Sequence, residues 1–140
     1  MPAPDIFVDA GAWIALSDRS DQHHRVASEA YRQLLQRARL LVTTHLVVAE
    51  AHVLIRRAAG HNAALQFLRS LRQSGRVLIV YSDAVLHAEA EEILARYADQ
   101  DFSLADAVSF AVMRKRNIPE AFAFDRHFLV AGFILVPARP

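Results

Sequence analysis

Four acidic residues in this chain of 140 residues, Asp9, Glu50, Asp106 and Asp125, have the types and positions that can do chemistry together. Glu50 is the least ordinary of them. At helical spacing its neighbours are Leu46, Val47, Val53 and Leu54, so the pattern predicts a carboxylate aimed at an apolar stripe. A charge in such a place is costly unless something compensates it. Brought into one pocket, the four side chains would offer only oxygen donors, which suit a hard divalent cation such as Mg²⁺ or Mn²⁺. Without a cation they would repel one another, and some of their pKa values should be raised.

Each aspartate also has an ordinary reading as a helix cap. Asp9 ends the apolar run 6–8 and precedes Ala10-Gly11, where it can cap a following helix. Asp125 follows the run 121–124 in the same way. Asp106 stands three residues after Ser103, close to a capping box, and Asp101 offers a further cap or an outer ligand. Glu50 lies about a turn and a half into its helix and has no capping role. In open α/β sheets, ligands bind beyond the carboxyl ends of the strands, where Asp9 and Asp125 both fall if their strands are parallel. Gly11 allows a ligand or backbone to approach closely.

The elements that must position these residues are legible as alternating patterns. Five short, continuously apolar runs, at 6–8, 40–43, 77–80, 121–124 and 133–136, read as strands buried on both faces. Helical stripes fill the gaps at 27–38, 45–59, 64–71, 86–97 and 104–112, with Gly60 as a terminator of the second. The alternation predicts an α/β fold over residues 1–140: one doubly wound domain with a mainly parallel sheet of about five strands and helices on both faces. Two helices between the second and third strands break the plain alternation.

Composition narrows the function classes. The absence of cysteine removes disulfides, thiolate zinc sites and cysteine nucleophiles together. Four glycines form neither a dinucleotide fingerprint nor a phosphate-binding loop, and there is no G-x-S-x-G elbow. Seven histidines include no H-E-x-x-H pair, so a zinc site is not expected. Trp13 and Phe102 read as core aromatics. Neither a signal peptide nor a membrane span is visible, and a soluble, cytoplasmic protein is expected. Net charge is +1, and neutralising the four acids leaves +5 on the rest. The basic residues are arginines apart from Lys115; Arg114, Arg116 and Arg126 are candidates for steering phosphates.

With these residues in view, the chain resembles a PIN-domain protein, and more narrowly the toxin ribonuclease of a VapBC toxin–antitoxin pair. Phe7-Val8-Asp9-x-Gly11-Ala12-Trp13 is similar to the family's opening motif, and Asp18-x-x-Asp21-x-His23-His24 to the segment that follows it. Thr43-Thr44 with Val47-Val48-Ala49-Glu50, Ser103-Leu104-Ala105-Asp106-Ala107, and Ala123-Phe124-Asp125-Arg126-His127-Phe128 resemble the contexts of the later acids. The chain departs at Ala10 and Gly11, where many relatives carry hydroxyls; Thr44 is a candidate to supply one.

The resemblance implies a metal-dependent endoribonuclease, with Asp9, Glu50 and Asp106 holding one Mg²⁺ or Mn²⁺ and Asp125 completing that site or recruiting a second ion. It also implies an RNA substrate, a homodimer and an antitoxin partner that covers the active site. Two alternatives stand beside it. One is a PIN-type nuclease of RNA processing; the other is an inactive acidic-pocket module such as a receiver domain. The receiver reading wants a pair of acids after the first strand and a lysine after a late one, and the chain has neither.

Overall fold

The computed structural model describes residues 3–138. Five strands, β1 (Ile6–Val8), β2 (Leu41–Thr44), β3 (Val77–Val80), β4 (Glu120–Phe122) and β5 (Ile134–Val136), form one sheet in the order β3-β2-β1-β4-β5. Every pairing is parallel. β1, β2 and most of β4 are buried on both faces, which is why they read as unbroken hydrophobic runs, whereas the edge strands β3 and β5 are only partly covered.

Seven helices make the crossovers among the described residues. α1 (Ala10–Ser17) and α2 (His24–Arg37) join β1 to β2, and α3 (His45–Ala59) and α4 (His61–Gln73) join β2 to β3. α5 (Ala84–Arg96) and α6 (Leu104–Lys115) lead back to β4, and the single turn α7 (His127–Val130) leads to β5. Pairs of helices therefore fill three of the four crossovers; the stripes at 45–59 with 64–71 and at 86–97 with 104–112 marked two of these pairs, and α1 completes the third. Right-handed crossovers place α1–α4 on one face and α5–α7 on the other. The aromatic packing agrees: Trp13 of α1 meets Tyr31 of α2 and Phe67 of α4 at ring distances of 6.5 and 5.8 Å. On the opposite face Phe128 of α7 packs on Phe110 of α6 and on Phe7 of β1, at 5.1 and 5.9 Å. Trp13 is core, as its sequence context suggested. None of the described helices is long and apolar enough to cross a membrane.

The helix starts are set by local chemistry. Thr44 accepts a hydrogen bond from the Val47 N–H at 3.1 Å and so caps α3. That hydroxyl is structural and does not replace the ones absent at positions 10 and 11. Asp83 caps α5 through the Leu86 N–H, and Ser103 caps α6. β4 ends two residues earlier than the apolar run, although the Ala123 N–H still bonds the Val136 carbonyl at 3.2 Å. From β1 the chain steps one way along the sheet to β2 and β3, then returns to the other side at β4. The topological switch point thus lies between β1 and β4, and a crevice opens beyond their carboxyl ends.

Candidate active site

Asp9 sits at that crevice, directly after β1. It holds the N-cap position of α1 with extended backbone, φ −91° and ψ 167°, but its side chain makes no capping bond. The capping explanation therefore fails here, and the carboxylate is left for the crevice. It is only 8% exposed. Burial raises its pKa from the ordinary 3.8 to about 7; the Ala10 N–H opposes the rise, and the charges of Asp106, Glu50 and Asp125 add to it. All three other acids are thus close enough to act on Asp9 electrostatically.

Asp106 both caps and faces the site. Its Oδ2 accepts the Ser103 N–H at 3.0 Å while its own N–H bonds the Ser103 hydroxyl, completing the capping box. Its Oδ1 accepts no hydrogen bond from the described residues. The cap engages Oδ2 and leaves Oδ1 available, so a capping role does not preclude a ligand role.

Asp125 lies in the turn after β4, where its Oδ1 accepts the His127 N–H at 2.9 Å. The His127 ring then joins the two acids: Nδ1 lies 2.9 Å from Asp106 Oδ2 and 3.2 Å from Asp125 Oδ2. The ring stands edge-on to Phe102 at 5.2 Å. Ligand atoms of Asp106, Asp125 and His127 all lie within 4.8 Å of one another, close enough to share one ion. His127 was not singled out from sequence among the seven histidines; the signal available was its place two residues after Asp125.

Glu50 corrects the sequence reading of its own surroundings. The buried line of α3 is Val47, Ala51 and Ile55, whereas Glu50 is on the exposed flank with Val53 and Leu54, which are 44% and 37% exposed. Apolar residues wrap α3 too widely for spacing alone to say which side is buried. Partial burial still raises the Glu50 pKa, and the charges of Asp106 and Asp125 raise it further. Glu50 therefore belongs to the acidic crevice, at its open rim rather than in the core.

The other sequence candidates separate from this site. Asp18 binds the Ser20 N–H and hydroxyl at 3.0 and 2.6 Å, which holds its pKa below the usual range, and Asp21 accepts the His23 N–H at 2.8 Å. These bonds shape the α1–α2 loop. His24 Nδ1 lies 2.6 Å from the Ala15 carbonyl and so carries the proton, while His23 stacks on Phe124 at 4.3 Å, next to Asp125. Arg114 and Arg116 lie at the far end of α6 from Asp106, and Arg116 is 3.9 Å from Asp5. Of the three arginines considered, only Arg126 adjoins the acids. Gly11 is helical, and a Cβ there would meet nothing within 4 Å. Gly11→Ala is therefore expected to stabilise α1 by about 0.5–1 kcal/mol, read as a higher melting temperature.

A doubly wound parallel sheet with four carboxylates at its switch point defines the class of protein. The profile of the PIN domain family matches residues 6–134, and the chain belongs to that family. It is 37% identical over 131 residues to the 23S rRNA-specific endonuclease VapC20 of Mycobacterium tuberculosis, covering 94% of this chain and 97% of that one. Identity to ribonuclease VapC26 of the same species is 28% over 124 residues, 88% and 89% of the two chains. The crystal structure of M. tuberculosis VapC20, described as a sarcin-ricin loop cleaving toxin, superposes with a TM-score of 0.85 at 36% identity, covering 96% of this chain and 99% of that one. FitAcB from Neisseria gonorrhoeae shares the fold, with a TM-score of 0.58 at 18% identity over 93% and 95% of the chains.

Proposed function

We propose that this protein is a divalent-metal-dependent endoribonuclease acting as the toxin of a type II toxin–antitoxin pair, with Asp9, Glu50, Asp106 and Asp125 as its site. The convergence of four carboxylates from four separate segments on one crevice, with two of their pKa values raised, carries the reading. Uncompensated negative charge of this kind suits a cation. Asp9, Glu50 and Asp106 would hold one Mg²⁺ or Mn²⁺, with Asp125 completing the set. When bound, such an ion lowers the pKa of a coordinated water and offsets charge growing on the phosphoryl oxygens.

The chain's own residues do the rest. The switch-point crevice admits a phosphodiester from the open side, where Glu50 forms the rim. His127 keeps Asp106 and Asp125 together, and the capping box fixes Asp106 on a rigid helix start. The similarity to a 23S rRNA-specific endonuclease makes 23S rRNA the first substrate to test. An enzyme with that substrate acts in the cytoplasm, among ribosomes. A homodimer and an antitoxin that occludes the acidic crevice belong to the same reading.

The test is cleavage of 23S rRNA with Mn²⁺ or Mg²⁺, with and without EDTA, beside Glu50→Gln. Metal-dependent cleavage that Glu50→Gln removes is expected; cleavage persisting in EDTA or in the variant refutes the proposal. Binding should also depend on pH. Asp9 must release its proton to hold a cation, so apparent metal affinity should fall about tenfold per pH unit below about 7 and level off above it. Isothermal titration with Mn²⁺ across that range measures this, and a flat profile argues against Asp9 as a ligand.

A further inference from the structure

Outside the acidic crevice, a second open cleft of about 470 Å³ is lined by His52, Val53, Arg56, Arg57 and His61. Its polar lining is cationic or imidazole, with no carboxylate. Neither arginine takes part in an ion pair or side-chain hydrogen bond with any described residue, and both are exposed. Both lie in the last turn of α3, where their charge favours the helix C-terminus, but that role does not require a cleft between them and the next helix.

The backbone contributes a second, independent feature. α4 begins at His61, directly after Gly60, whose φ of +96° turns the chain sharply, and the helix has no side-chain cap. Its first-turn N–H groups therefore remain as donors beside His61, at the positive end of a helix of 13 residues. Two guanidinium groups without side-chain partners among the described residues, two imidazoles and a helix start without a side-chain cap thus share one cleft, a set of donors that suits an anion.

Position says which anion. Arg57 follows Glu50 by seven residues, so it lies on the same side of α3, about 10 Å along its axis. Exposed Val53 and Leu54 lie between them. A strand crossing Glu50 at the reaction centre reaches the cleft within a few nucleotides, with apolar surface between the two for a base.

We propose that this cleft binds a backbone phosphate of the RNA strand, away from the cleaved bond, with Arg56 and Arg57 as its main contacts. The proposal rests on the nuclease reading for the identity of the polymer, but its test needs no cleavage. Binding of a fluorescein-labelled single-stranded RNA of about a dozen nucleotides is followed by anisotropy in EDTA over a range of salt. The double variant Arg56→Gln/Arg57→Gln should weaken binding by about 10- to 100-fold and lower the log–log salt slope by about 0.7 per lost contact. Arg56→Lys/Arg57→Lys should recover part of the affinity. Arg69→Gln/Arg72→Gln, which removes the same charge from α4 outside the cleft, should bind RNA as the parent does.

Melting curves and light scattering on each variant complete the test. Equal weakening by the two Gln pairs overturns the proposal, since charge alone then acts. Unchanged RNA binding by Arg56→Gln/Arg57→Gln also overturns it, including where that pair alters the oligomeric state or antitoxin affinity instead. A lower melting temperature for that pair is met by the Lys pair, whose failure to bind more tightly while melting as the parent does refutes the site. If RNA binds as expected but no RNA is cleaved with metal, the nuclease reading fails and the phosphate cleft stands.

Discussion

Asp9→Asn is expected to reduce metal-dependent RNA cleavage by more than about 100-fold and, in the metal-free protein, to raise stability. The loss of activity should exceed the 10- to 100-fold typical of groups that only support a metal ligand, since Asp9 would itself bind the ion. The gain in stability follows from its pKa. In the unfolded chain Asp9 titrates near its ordinary 3.8, and in the folded protein near 7, chiefly because it is buried. Between these values the unfolded state gives up a proton that the native state keeps, so stability falls as pH rises. Below both values the group is neutral in either state and contributes nothing. Above about 7 the full cost of the buried charge is present, with a ceiling of about 4 kcal/mol from the size of the shift.

Asparagine carries no charge to bury, but its amide needs partners, so a net gain of about 1–3 kcal/mol is expected at pH 8. Thermal or urea unfolding in EDTA at pH 4 and pH 8 checks the sign: the variant's advantage should be near zero at the lower pH and largest at the higher one. Adding Mn²⁺ should reverse the order, because the ion stabilises only the chain that binds it. A variant less stable than the parent at pH 8 would mean that Asp9 is held by a partner and not destabilised by burial.

The second large effect separates the two roles of Asp106. Asp106→Asn retains an oxygen that can accept the Ser103 N–H, so the capping box survives and the melting temperature should change little. Asp106→Ala removes that acceptor and should cost about 1 kcal/mol. Both substitutions remove the carboxylate charge and the free Oδ1 anion, so both should lower cleavage by at least about 100-fold. If Asp106→Asn instead cleaves RNA as the parent does, Asp106 is a cap alone. Measuring activity and melting on the same samples resolves the ambiguity that Ser103-x-x-Asp106 carries in the sequence.

The fold was largely legible before any coordinates. Strands buried on both faces must be apolar throughout, so residues 6–8 appear as the same stretch in sequence and structure. Gly60 marked the end of α3 because only a residue free of a Cβ takes its φ readily. The α1 helix was visible only as something Asp9 might cap, and α7 is a single turn, too short for periodicity to register.

What the sequence by itself determined is the class of fold and the choice of these four acids as the candidates, since both rest on local pattern and on motif order along the chain. Convergence of those acids was a hypothesis until the parallel order β3-β2-β1-β4-β5 put the ends of β1 and β4 side by side. Only the tertiary structure decided which way Glu50 faces. A helix with apolar residues on several sides has no unique buried face until its neighbours pack, and α3 packs through Val47, Ala51 and Ile55. The same packing brought His127 between Asp106 and Asp125, residues 21 positions apart in the first case. It also left Arg56 and Arg57 beside the start of α4 without side-chain partners among the described residues. Contacts of that kind depend on distance through space, and residue spacing does not encode them.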